Sequence, residues 1–481
     1  MVLGCTSGAG KSWLATALCH WYARQGLRVT PFKAQNMSNH ARVVPLIDGS
    51  AGEMGSAQYF QALAAGVEPD VRMNPILLKP EAENRSQVVV LGRLRGDLTE
   101  QPWRERSALL WEVAREAVES LRRDYDLIVI EGAGSPAEIN LAESDYVNTR
   151  TALQANAACL LVSDIDRGGS FAHLYGTHAL MDARVRRQIR GFVLNRFRGD
   201  PALLSPGPER LLELTGVPTV AVIPMIRDHG LPEEDAVPSD RAGATGPRIV
   251  VIAAPHASNL DEFEPLRAAG LHVTFARDAT TIAGADWLVL PGSKQTRADL
   301  AWLRRSGLEA PIVRHARQGR PLLAVCGGLQ LLGGRLEDPL GLEGAAPDTE
   351  QGLGLLPLVT RYAADKRLAR TQARFGVLHG SWMALSGLMV NGYEIHLGTT
   401  RPTTARDCAV ALTHAASGAP IGWQRDSVLG LYLHGLFENP AVIQALWGVT
   451  APALSQTFGR LADVVEQRFA PGMLLSMAGR A

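Results

Sequence analysis

The chain begins with MVLGCTSGAGKSW (residues 1–13), in which three apolar residues lead into a glycine-rich loop that ends in Gly10-Lys11-Ser12. Glycines let backbone N–H groups approach phosphate oxygens, and the N-terminus of a following helix favours negative charge. A lysine in such a loop neutralises the β- and γ-phosphates of a nucleotide, and a serine holds Mg²⁺. We therefore predict a phosphate-binding loop between a first strand and a first helix.

The loop has five residues between Gly4 and Gly10, one more than the common form of this motif. A glycine turn before a helix is the alternative interpretation, and the adjacent Lys-Ser pair favours the nucleotide site. Because so few residues precede the loop, either the first strand is short or the natural start lies upstream of Met1. The residues predicted to bind ATP are Gly4, Thr6, Gly8, Gly10, Lys11, Ser12 and Lys33.

After this loop, short apolar runs alternate with amphipathic stretches along the chain. Buried strands that end in polar loops are predicted for DLIVIEGAG, ACLLVSDID, RGFVLNRF and TVAVIPM, and a long helix for WRERSALLWEVAREAVESLRRDY. Such alternation predicts an α/β fold with a parallel, doubly wound sheet. A stretch rich in Pro, Gly and acidic residues then interrupts the pattern, before a second alternating series starts at IVVIAAP. We predict domains over 1–226 and 248–441, a linker over 227–247 and a helical tail over 442–481.

The composition excludes several classes of protein. The 481 residues are too many for one ordinary core, and 48 Lys and Arg balance 48 Asp and Glu, which argues against a dedicated nucleic-acid or membrane-surface protein. No apolar run reaches the roughly 18 residues of a membrane span, and the N-terminus does not read as a secretory signal. The five cysteines are scattered without CxxC pairs. We expect a cytoplasmic protein without a zinc or disulfide framework.

A phosphate loop needs an acid at a strand end to hold its metal. Glu131 stands where the apolar run of DLIVIEGAG gives way to glycines, and a carboxylate there is costly unless it is paired or coordinating. Glu53 is a second, more weakly placed candidate, so the predicted Mg²⁺ ligands are Ser12, Glu53 and Glu131. Lys33 follows the second strand and is predicted to point into the crevice at the carboxyl ends of the strands. The alternatives are an acid bonded to backbone and a solvated surface lysine.

A second site is predicted in RPLLAVCGGLQLLGG, where an apolar strand leads through Cys326 and two glycines into a helical pattern. This order is typical of a nucleophile elbow with cysteine in place of serine. The backbone N–H of Gly327, and that of Gly292 in VLPGSKQT, are candidates for the oxyanion hole. A buried cysteine in an ordinary βα turn is the alternative.

The nucleophile needs a base, and the downstream histidines supply two candidates. His434 in LGLYLHGLFE follows an apolar strand, which suits a cysteine–histidine pair assembled by the fold. His396 in GYEIHLG competes with it, and either histidine alone could be structural. Glu438 lies four residues after His434 and is not assigned as the orienting acid.

Taken together, these motifs show that the chain resembles the cobyric acid synthases, glutamine-dependent amidotransferases of cobalamin biosynthesis. The resemblance extends over nearly the whole length of the chain. The stretches that carry the resemblance are PFKAQNMS, MNPILLKPE, IEGAGSPAEINL, DIDRGG, NRFRGDPALL, LPGSKQT, CGGLQLLGG, GYEIHLG and LYLHGLF. The resemblance implies an N-terminal dethiobiotin-synthetase-like P-loop domain, whose loop has the longer spacing. It also implies a C-terminal class I glutamine amidotransferase domain, flavodoxin-like, of the branch that lacks the usual His-x-Glu acid. An aromatic residue often stands in this family where the chain has Leu329.

The family amidates the b, d, e and g carboxylates of adenosylcobyrinic acid a,c-diamide, so the resemblance implies ATP, L-glutamine and that corrinoid as substrates, with Mg²⁺ as the metal. The corrinoid is a substrate rather than a cofactor, and the oligomeric state is left open. Phosphoryl transfer would activate a carboxylate as an acyl phosphate, with Lys11, Ser12 and Glu131 handling charge. Ammonia would come from glutamine through a Cys326 thioester, with His434 moving protons.

Further polar residues are predicted to lie near the nucleotide crevice. Loop acids making local backbone bonds are the alternative interpretation for the carboxylates among them. Lys33 and Arg167 could meet the carboxylates of an anionic corrinoid. The substrate- or metal-side candidates are Lys33, Glu138, Asp145, Asp164, Asp166 and Arg167.

Three other functions fit part of the pattern. Cobyrinic acid a,c-diamide synthase would use the same chemistry on other carboxylates, and KAQNM and SPAEINL favour the cobyric acid enzymes over it. CTP synthase should carry a His-x-Glu pattern, which HGLF lacks. An ATPase switch of the partitioning type would have a signature lysine early in the loop, where CTSGAG has none, and no use for VCGGLQ.

Overall fold

The computed structural model describes residues 1–82, 85–227, 229–232, 244–344, 347–404 and 408–480. The chain divides into two compact units, of which the first comprises Met1–Ser38, Val44–Leu231 and Ala453–Ala481, and the second comprises Asn39–Val43 and Pro232–Pro452. Most of the predicted linker over 227–247 lies outside the described residues. The domain limits given above stay predictions. In the part of the chain that is described, no helix is long and apolar enough to cross a bilayer.

The N-terminal part of the chain alternates strands and helices. Its strands are β1 (Val2–Gly4), β2 (Val29–Phe32), β3 (Gln35–Met37), β4 (Ala41–Pro45), β5 (Ala51–Gly55), β6 (Ile76–Ala82), β7 (Arg85–Val90), β8 (Arg93–Leu94), β9 (Leu127–Ile130), β10 (Cys159–Asp164), β11 (Ile189–Phe197) and β12 (Thr219–Pro224). Its helices are α1 (Lys11–Arg24), α2 (Ser56–Ala65), α3 (Gly96–Thr99), α4 (Trp103–Asp124), α5 (Thr151–Gln154), α6 (Ser170–Leu180), α7 (Ala183–Arg186) and α8 (Gly207–Thr215). The four apolar runs predicted as strands are confirmed as β9, β10, β11 and β12, and the long predicted helix is confirmed as α4.

The helix α4 shows how the sequence pattern builds this unit. Its buried residues include Leu110, Ala114, Ala117 and Leu121, which recur every three or four positions and therefore share one face. That face packs into a core with β2, β6 and β9 residues such as Phe32. The opposite face carries the arginines and glutamates of the stretch.

The main sheet of the first unit is parallel. Strands β1, β10, β11 and β12 are neighbours in that order, and β2 pairs with β9. A parallel bridge from Val2 to Glu131, directly after β9, joins the two sets, which gives the order β2-β9-β1-β10-β11-β12. The carboxyl ends of β1, β2 and β9 therefore meet at one edge, where ligands bind in open α/β sheets.

The second unit contains a large mixed sheet. The strands of this unit are β13 (Thr245–Ile252), β14 (Ala257–Ser258), β15 (Leu271–Ala276), β16 (Trp287–Leu290), β17 (Gly292–Ser293), β18 (Leu322–Val325), β19 (Arg335–Asp338), β20 (Asp348–Glu350), β21 (Leu358–Phe375), β22 (Met389–Pro402), β23 (Ala409–His414), β24 (Pro420–Arg425) and β25 (Val428–Leu431). Of these, β14 and β17 form a separate antiparallel pair. The helices of this unit are α9 (Glu264–Ala268), α10 (Ala279–Ala283), α11 (Thr296–Arg305), α12 (Glu309–Arg317), α13 (Gly327–Leu332) and α14 (Pro440–Trp447).

The parallel half of this sheet positions the second site. Strands β15, β13, β16, β18 and β25 run parallel in that order, and β24, β23, β21 and β22 continue the sheet in antiparallel pairs. The central strand β18 is buried along its whole length, as expected for a strand covered on both faces.

The C-terminal helices belong to the first unit. They are α15 (Leu454–Arg468) and α16 (Met473–Met477). Phe458, Leu461 and Val465 of α15 share a core with residues of α1. The Tyr22 hydroxyl donates a hydrogen bond of 2.7 Å to the Leu474 carbonyl, which fastens α16 to α1.

Candidate active sites

Cys326 occupies a sharp turn between β18 and α13. Its backbone has φ 53° and ψ −109°, a conformation that costs a non-glycine residue free energy and is concentrated at functional sites. The thiol donates a hydrogen bond of 3.2 Å to the Ile395 carbonyl. The strand–cysteine–helix order predicted from the sequence is therefore present, with the strained backbone expected of a nucleophile elbow.

The glycines around this turn allow two backbone segments to approach closely. A Cβ atom on Gly328 would lie 2.2 Å from the Leu290 carbonyl oxygen, and one on Gly327 would lie 2.7 Å from the Ser293 nitrogen. A Cβ atom on Gly292 would lie 2.8 Å from Cε1 of His434. Real Cβ contacts are essentially never so short, so a larger residue at any of these positions would force its neighbour to move. The structure thus brings Gly327, Gly292 and His434 together beside Cys326, the predicted nucleophile.

His434 lies between Cys326 and a buried acid, Glu262. Its Nδ1 is 3.1 Å from Glu262 Oε1, and Glu262 Oε2 accepts a hydrogen bond of 3.0 Å from the Gly435 N–H. Burial disfavours the imidazolium, but the charge of Glu262 and the interaction with Cys326 outweigh it and raise the pKa of His434 to about 10. The three residues have the connectivity of a catalytic triad, with Glu262 orienting the histidine.

Sequence reasoning missed Glu262, which precedes His434 by 172 positions. It lies in a short 3-10 turn, Leu260–Phe263, which follows β14. The available signal was the acidic pair Asp261-Glu262 between the apolar residues Leu260 and Phe263, since acids that are buried with apolar neighbours need partners. A search for an acid close to the histidine in sequence could not find it.

The competing histidine occupies a different environment. His396 Nε2 lies 3.4 Å from Glu394 Oε2, and its ring stacks on Tyr432 at a centroid distance of 3.9 Å. Glu438 lies 2.8 Å from the guanidinium of Arg42. The geometry therefore favours His434 over His396 as the base, and Glu262 over Glu438 as its acid.

The phosphate loop of the first unit is shaped by left-handed glycines. Gly8 and Gly10 have φ of 70° and 96°, and a Cβ atom on Gly10 would lie 2.1 Å from Nδ2 of Asn195. The helix α1 begins at Lys11. Lys11 Nζ curls back over the loop and donates hydrogen bonds of 3.1 Å to the Thr6 carbonyl and 3.3 Å to the Gly134 carbonyl. A Cβ atom on Gly4 would lie 3.0 Å from that Nζ atom.

Glu131 is the buried centre of the polar residues beside this loop. Its Oε1 accepts hydrogen bonds of 2.9 Å from the Ser12 hydroxyl and 2.8 Å from Lys33 Nζ, and its Oε2 accepts one of 2.5 Å from Gln61 Nε2. Burial raises its pKa, but the charge of Lys33 and these hydrogen bonds outweigh burial and hold the pKa of Glu131 below its ordinary value. The structure brings together Ser12, Lys33 and Glu131, which sequence reasoning had selected, and adds Gln61, which it had not.

The residues at this place fit a magnesium ion in part. A serine hydroxyl and a carboxylate are oxygen ligands, which Mg²⁺ prefers, and Ser12 and Glu131 already lie within a hydrogen bond of each other. Glu53, in contrast, forms a buried ion pair with Lys79. Among the described residues no group of three or more His, Cys, Asp or Glu is arranged to hold a metal ion. The fit rests on Ser12 and Glu131, and a ligand role for Glu53 stays a prediction.

The substrate-side candidates lie in several environments. Asp145 caps a π-helical turn, Tyr146–Arg150, by accepting hydrogen bonds from the backbone of Asn148 and Thr149. Glu138 is exposed. Their roles stay predictions.

The other acids on this side form ion pairs with arginines. Asp164 is buried and lies 3.0 Å from Arg196 and 3.4 Å from Arg167. Asp166 forms an ion pair with Arg198. The Arg167 guanidinium lies 3.6 Å from where a Cβ atom on Gly8 would stand, so it flanks the phosphate loop.

Comparison with known proteins matches both halves of the chain. Residues 1–236 match the family described as the CobQ/CobB/MinD/ParA nucleotide binding domain, and residues 248–442 match the CobB/CobQ-like glutamine amidotransferase domain. The predicted fold class, a P-loop α/β domain followed by a class I glutamine amidotransferase domain, is confirmed.

Curated relatives match over nearly full length. A cobyric acid synthase of Methylibium petroleiphilum is 58% identical over 100% of this chain and 97% of its own length. Those of Leptothrix cholodnii and a Polaromonas species are 58% and 56% identical, each over 99% of this chain and over 96% and 97% of their own lengths. The resemblance predicted from the motifs is confirmed. Because such identity extends over both chains almost completely, the chain belongs to the cobyric acid synthase family.

Proposed function

We propose that this protein is a glutamine-hydrolysing, ATP-dependent amidoligase that converts the b, d, e and g carboxylates of adenosylcobyrinic acid a,c-diamide into amides. The observation that carries the proposal is the buried Cys326–His434–Glu262 arrangement on a strained elbow. The family membership and the phosphate loop with Lys11, Ser12 and Glu131 support it. The activity belongs in the cytoplasm, which supplies ATP, glutamine and the reducing conditions that a thiol nucleophile requires.

Ammonia release begins when His434 takes the proton of the Cys326 thiol and Sγ attacks the side-chain amide carbon of glutamine. The negative charge that develops on the amide oxygen is stabilised by the backbone N–H groups of Gly327 and of the Gly292 loop. His434 gives a proton to the departing nitrogen, so that ammonia leaves and a thioester remains. Water then hydrolyses the thioester to glutamate, with His434 accepting the proton that water loses. Glu262 keeps the imidazole oriented and compensates its positive charge throughout.

The first unit activates the carboxylate that ammonia will attack. A carboxylate has no good leaving group, so one of its oxygens first takes the γ-phosphoryl group of ATP, and ADP leaves. Lys11 neutralises charge on the phosphates, and the loop N–H groups hold their oxygens. Ammonia then adds to the acyl carbon and phosphate departs, which leaves the amide. Each amide therefore consumes one ATP and one glutamine.

Ser12 and Glu131 would hold Mg²⁺ in this site. When bound, the ion supplies positive charge against the β- and γ-phosphate oxygens. Glu131 enters as a carboxylate because Lys33 and Gln61 stabilise its charge. Lys33 therefore stabilises the negative charge of Glu131 in this arrangement. It is also a proposed contact for the carboxylates of the anionic corrinoid. Arg167, beside Gly8, is the other proposed cationic contact for corrinoid carboxylates.

The alternative, cobyrinic acid a,c-diamide synthase, is not favoured, because relatives at 55–58% identity carry the name cobyric acid synthase. The deciding experiment incubates the full chain with ATP, Mg²⁺, glutamine and adenosylcobyrinic acid a,c-diamide and follows the corrinoid by mass spectrometry. We expect successive conversions of carboxyl to amide, each with one ADP and one glutamate formed. Conversion of cobyrinic acid alone, with the a,c-diamide left unchanged, would contradict the proposal in favour of the alternative.

A further inference from the structure

Arg42 is a buried cation of the second unit, although it lies in the N-terminal part of the sequence. The segment Asn39–Val43 groups with the second unit, whereas the residues on either side of it group with the first. The Arg42 side chain is 1% exposed. The Ala41 N–H donates a hydrogen bond of 3.0 Å to Asn259 Oδ1, and His40 Nδ1 lies 3.5 Å from Asp261. The segment is therefore fixed by polar contacts as well as by burial.

The guanidinium of Arg42 contacts three side chains at once. Nη2 lies 2.7 Å from Asp261 Oδ2 and 2.8 Å from Glu438 Oε1. Nη1 donates a hydrogen bond to the Tyr393 hydroxyl, and Cζ lies 5.1 Å from the centre of the Tyr393 ring. The planar, rigid fork of arginine suits such simultaneous contacts, which lysine cannot reproduce.

Each of these three side chains is coupled to the proposed base. The Tyr393 ring stacks on the His434 imidazole at a centroid distance of 5.3 Å and an angle of 16°. The backbones of Tyr393 and His434 also exchange hydrogen bonds of 3.2 Å and 2.9 Å. Asp261 directly precedes Glu262, and Glu438 lies in the 3-10 turn that follows His434. Arg42 therefore contacts the residues that support His434.

The charges explain why a cation is needed there. Asp261, Glu262 and Glu438 are three acids close to one histidine, and like charges at short range in a buried place repel strongly. Arg42 compensates the negative charges of Asp261 and Glu438. The charge of Glu262 can then compensate the His434 imidazolium. Without Arg42, Asp261 and Glu438 would lose a buried counter-charge and the turn that carries His434 would rearrange.

We infer that Arg42 is a positioning residue of the glutaminase site, which holds Asp261, Glu438 and Tyr393 so that His434 stays between Glu262 and Cys326. The inference rests on the proposed function, because it assigns Arg42 a place in the glutamine-hydrolysing half of that reaction. It also gives a reason why residues 39–43 belong to the second unit.

The test compares Arg42→Lys and Arg42→Met with the wild-type chain, and Arg305→Met, an exposed arginine of α11, is the matched control. Glutamine hydrolysis, ammonia-dependent amide formation and alkylation of Cys326 by iodoacetamide are measured on each. We expect kcat for glutamine hydrolysis to fall about tenfold in Arg42→Lys and about 100-fold in Arg42→Met, with KM within about threefold, because orientation rather than ground-state binding is lost. Alkylation of Cys326 should slow in the same order, and ammonia-dependent synthesis should stay within about twofold.

The outcomes separate this inference from the proposed function. A wild-type chain that does not hydrolyse glutamine would overturn the proposed function, and the alkylation rates would still report on the positioning of His434. If both Arg42 variants keep the wild-type kcat and the wild-type alkylation rate, the inference is overturned but the proposed function is not. Equal losses with glutamine and with ammonia would also overturn it, because Arg42 would then support folding in general. Arg42→Lys retains the charge, so it carries the test even if Arg42→Met does not fold.

Discussion

Among single residues, Glu262 is expected to have a strong effect on the protonation of His434, because its carboxylate lies 3.1 Å from the imidazole. Because the charge of Glu262 acts to raise the pKa of His434 to about 10 against the effect of burial, its removal must lower that pKa. The imidazolium would then lose its proton at a lower pH. We expect Glu262→Gln to move the alkaline limb of the kcat/KM profile for glutamine hydrolysis to lower pH, and to reduce kcat, because kcat/KM reports the pKa values of the free enzyme.

The matched control for this profile is Glu264→Gln, two positions along the chain. Glu264 forms an ion pair of 3.0 Å with Arg267, three positions further along the chain. Its substitution should leave the alkaline limb in place. If the alkaline limb of the kcat/KM profile is unchanged in Glu262→Gln too, a different acid compensates the charge of the His434 imidazolium and the prediction is wrong.

Cys326 is the proposed nucleophile of glutamine hydrolysis, which is separate from activation of the carboxylate. Cys326→Ala removes the nucleophile, so glutamine-dependent synthesis should be lost while synthesis from added ammonium salts remains measurable, because the carboxylate is still activated. The measurement is amide formation with each nitrogen source in turn. Loss of both activities in a folded variant would contradict the two-site scheme.

Lys11 and Glu131 are the residues proposed to act in activation of the carboxylate. Lys11→Ala should abolish synthesis from either nitrogen source, because the charge on the phosphates is no longer neutralised. Glutamine hydrolysis by the same variant, measured as glutamate formed without a corrinoid, serves as the control for folding. Substantial amide formation in Lys11→Ala would remove the phosphate loop from the mechanism.

At the element scale, the elbow between β18 and α13 depends on a close backbone approach. A Cβ atom on Gly328 would stand 2.2 Å from the Leu290 carbonyl oxygen, and backbone atoms on both sides cannot move apart easily. We expect Gly328→Ala to destabilise the second unit by about 1–3 kcal/mol, the usual cost of an overpacked position. Thermal unfolding and glutamine hydrolysis both measure the effect.

The matched control is a glycine inside a helix. Gly459 lies within α15, and a Cβ atom there would meet no atom within 4 Å. Alanine is the better helix former, so Gly459→Ala should stabilise the first unit by up to about 1 kcal/mol. Similar destabilisation by both substitutions would show that the elbow has no special need for glycine.

The same elements show what could be predicted from the sequence. The strands β9 to β12, the phosphate loop and the cysteine elbow were predictable because each is encoded by consecutive residues, an apolar run followed by glycines. Glu262, Gln61 and Arg42 were not, because each acts on a partner far away in the chain, such as His434 for Glu262. The segment 39–43 lies within a strand–helix pattern that reads as part of the first domain, and only tertiary contacts assign it to the second unit.

At the scale of the whole molecule, the two units have separate hydrophobic cores. One core cluster contains Val250, Leu323 and Leu429 and lies entirely in the second unit, while three further clusters, with Leu14, Phe32 and Leu161, lie in the first. Domains with their own cores can unfold separately. Two thermal transitions are therefore expected for the full chain.

Mg-ATP should raise only one of these two transitions, because the phosphate loop belongs to the first unit. A ligand at about 100 times its Kd stabilises the unit that binds it by about 2.7 kcal/mol, which for a unit of this size corresponds to a rise of roughly 5–10 °C in Tm. Calorimetry of the wild-type chain with and without Mg-ATP measures this shift, and Lys11→Ala should abolish it. Equal shifts of both transitions would mean that nucleotide binding is felt by both units, and a shift that persists in Lys11→Ala would place the nucleotide away from the loop at residues 4–12.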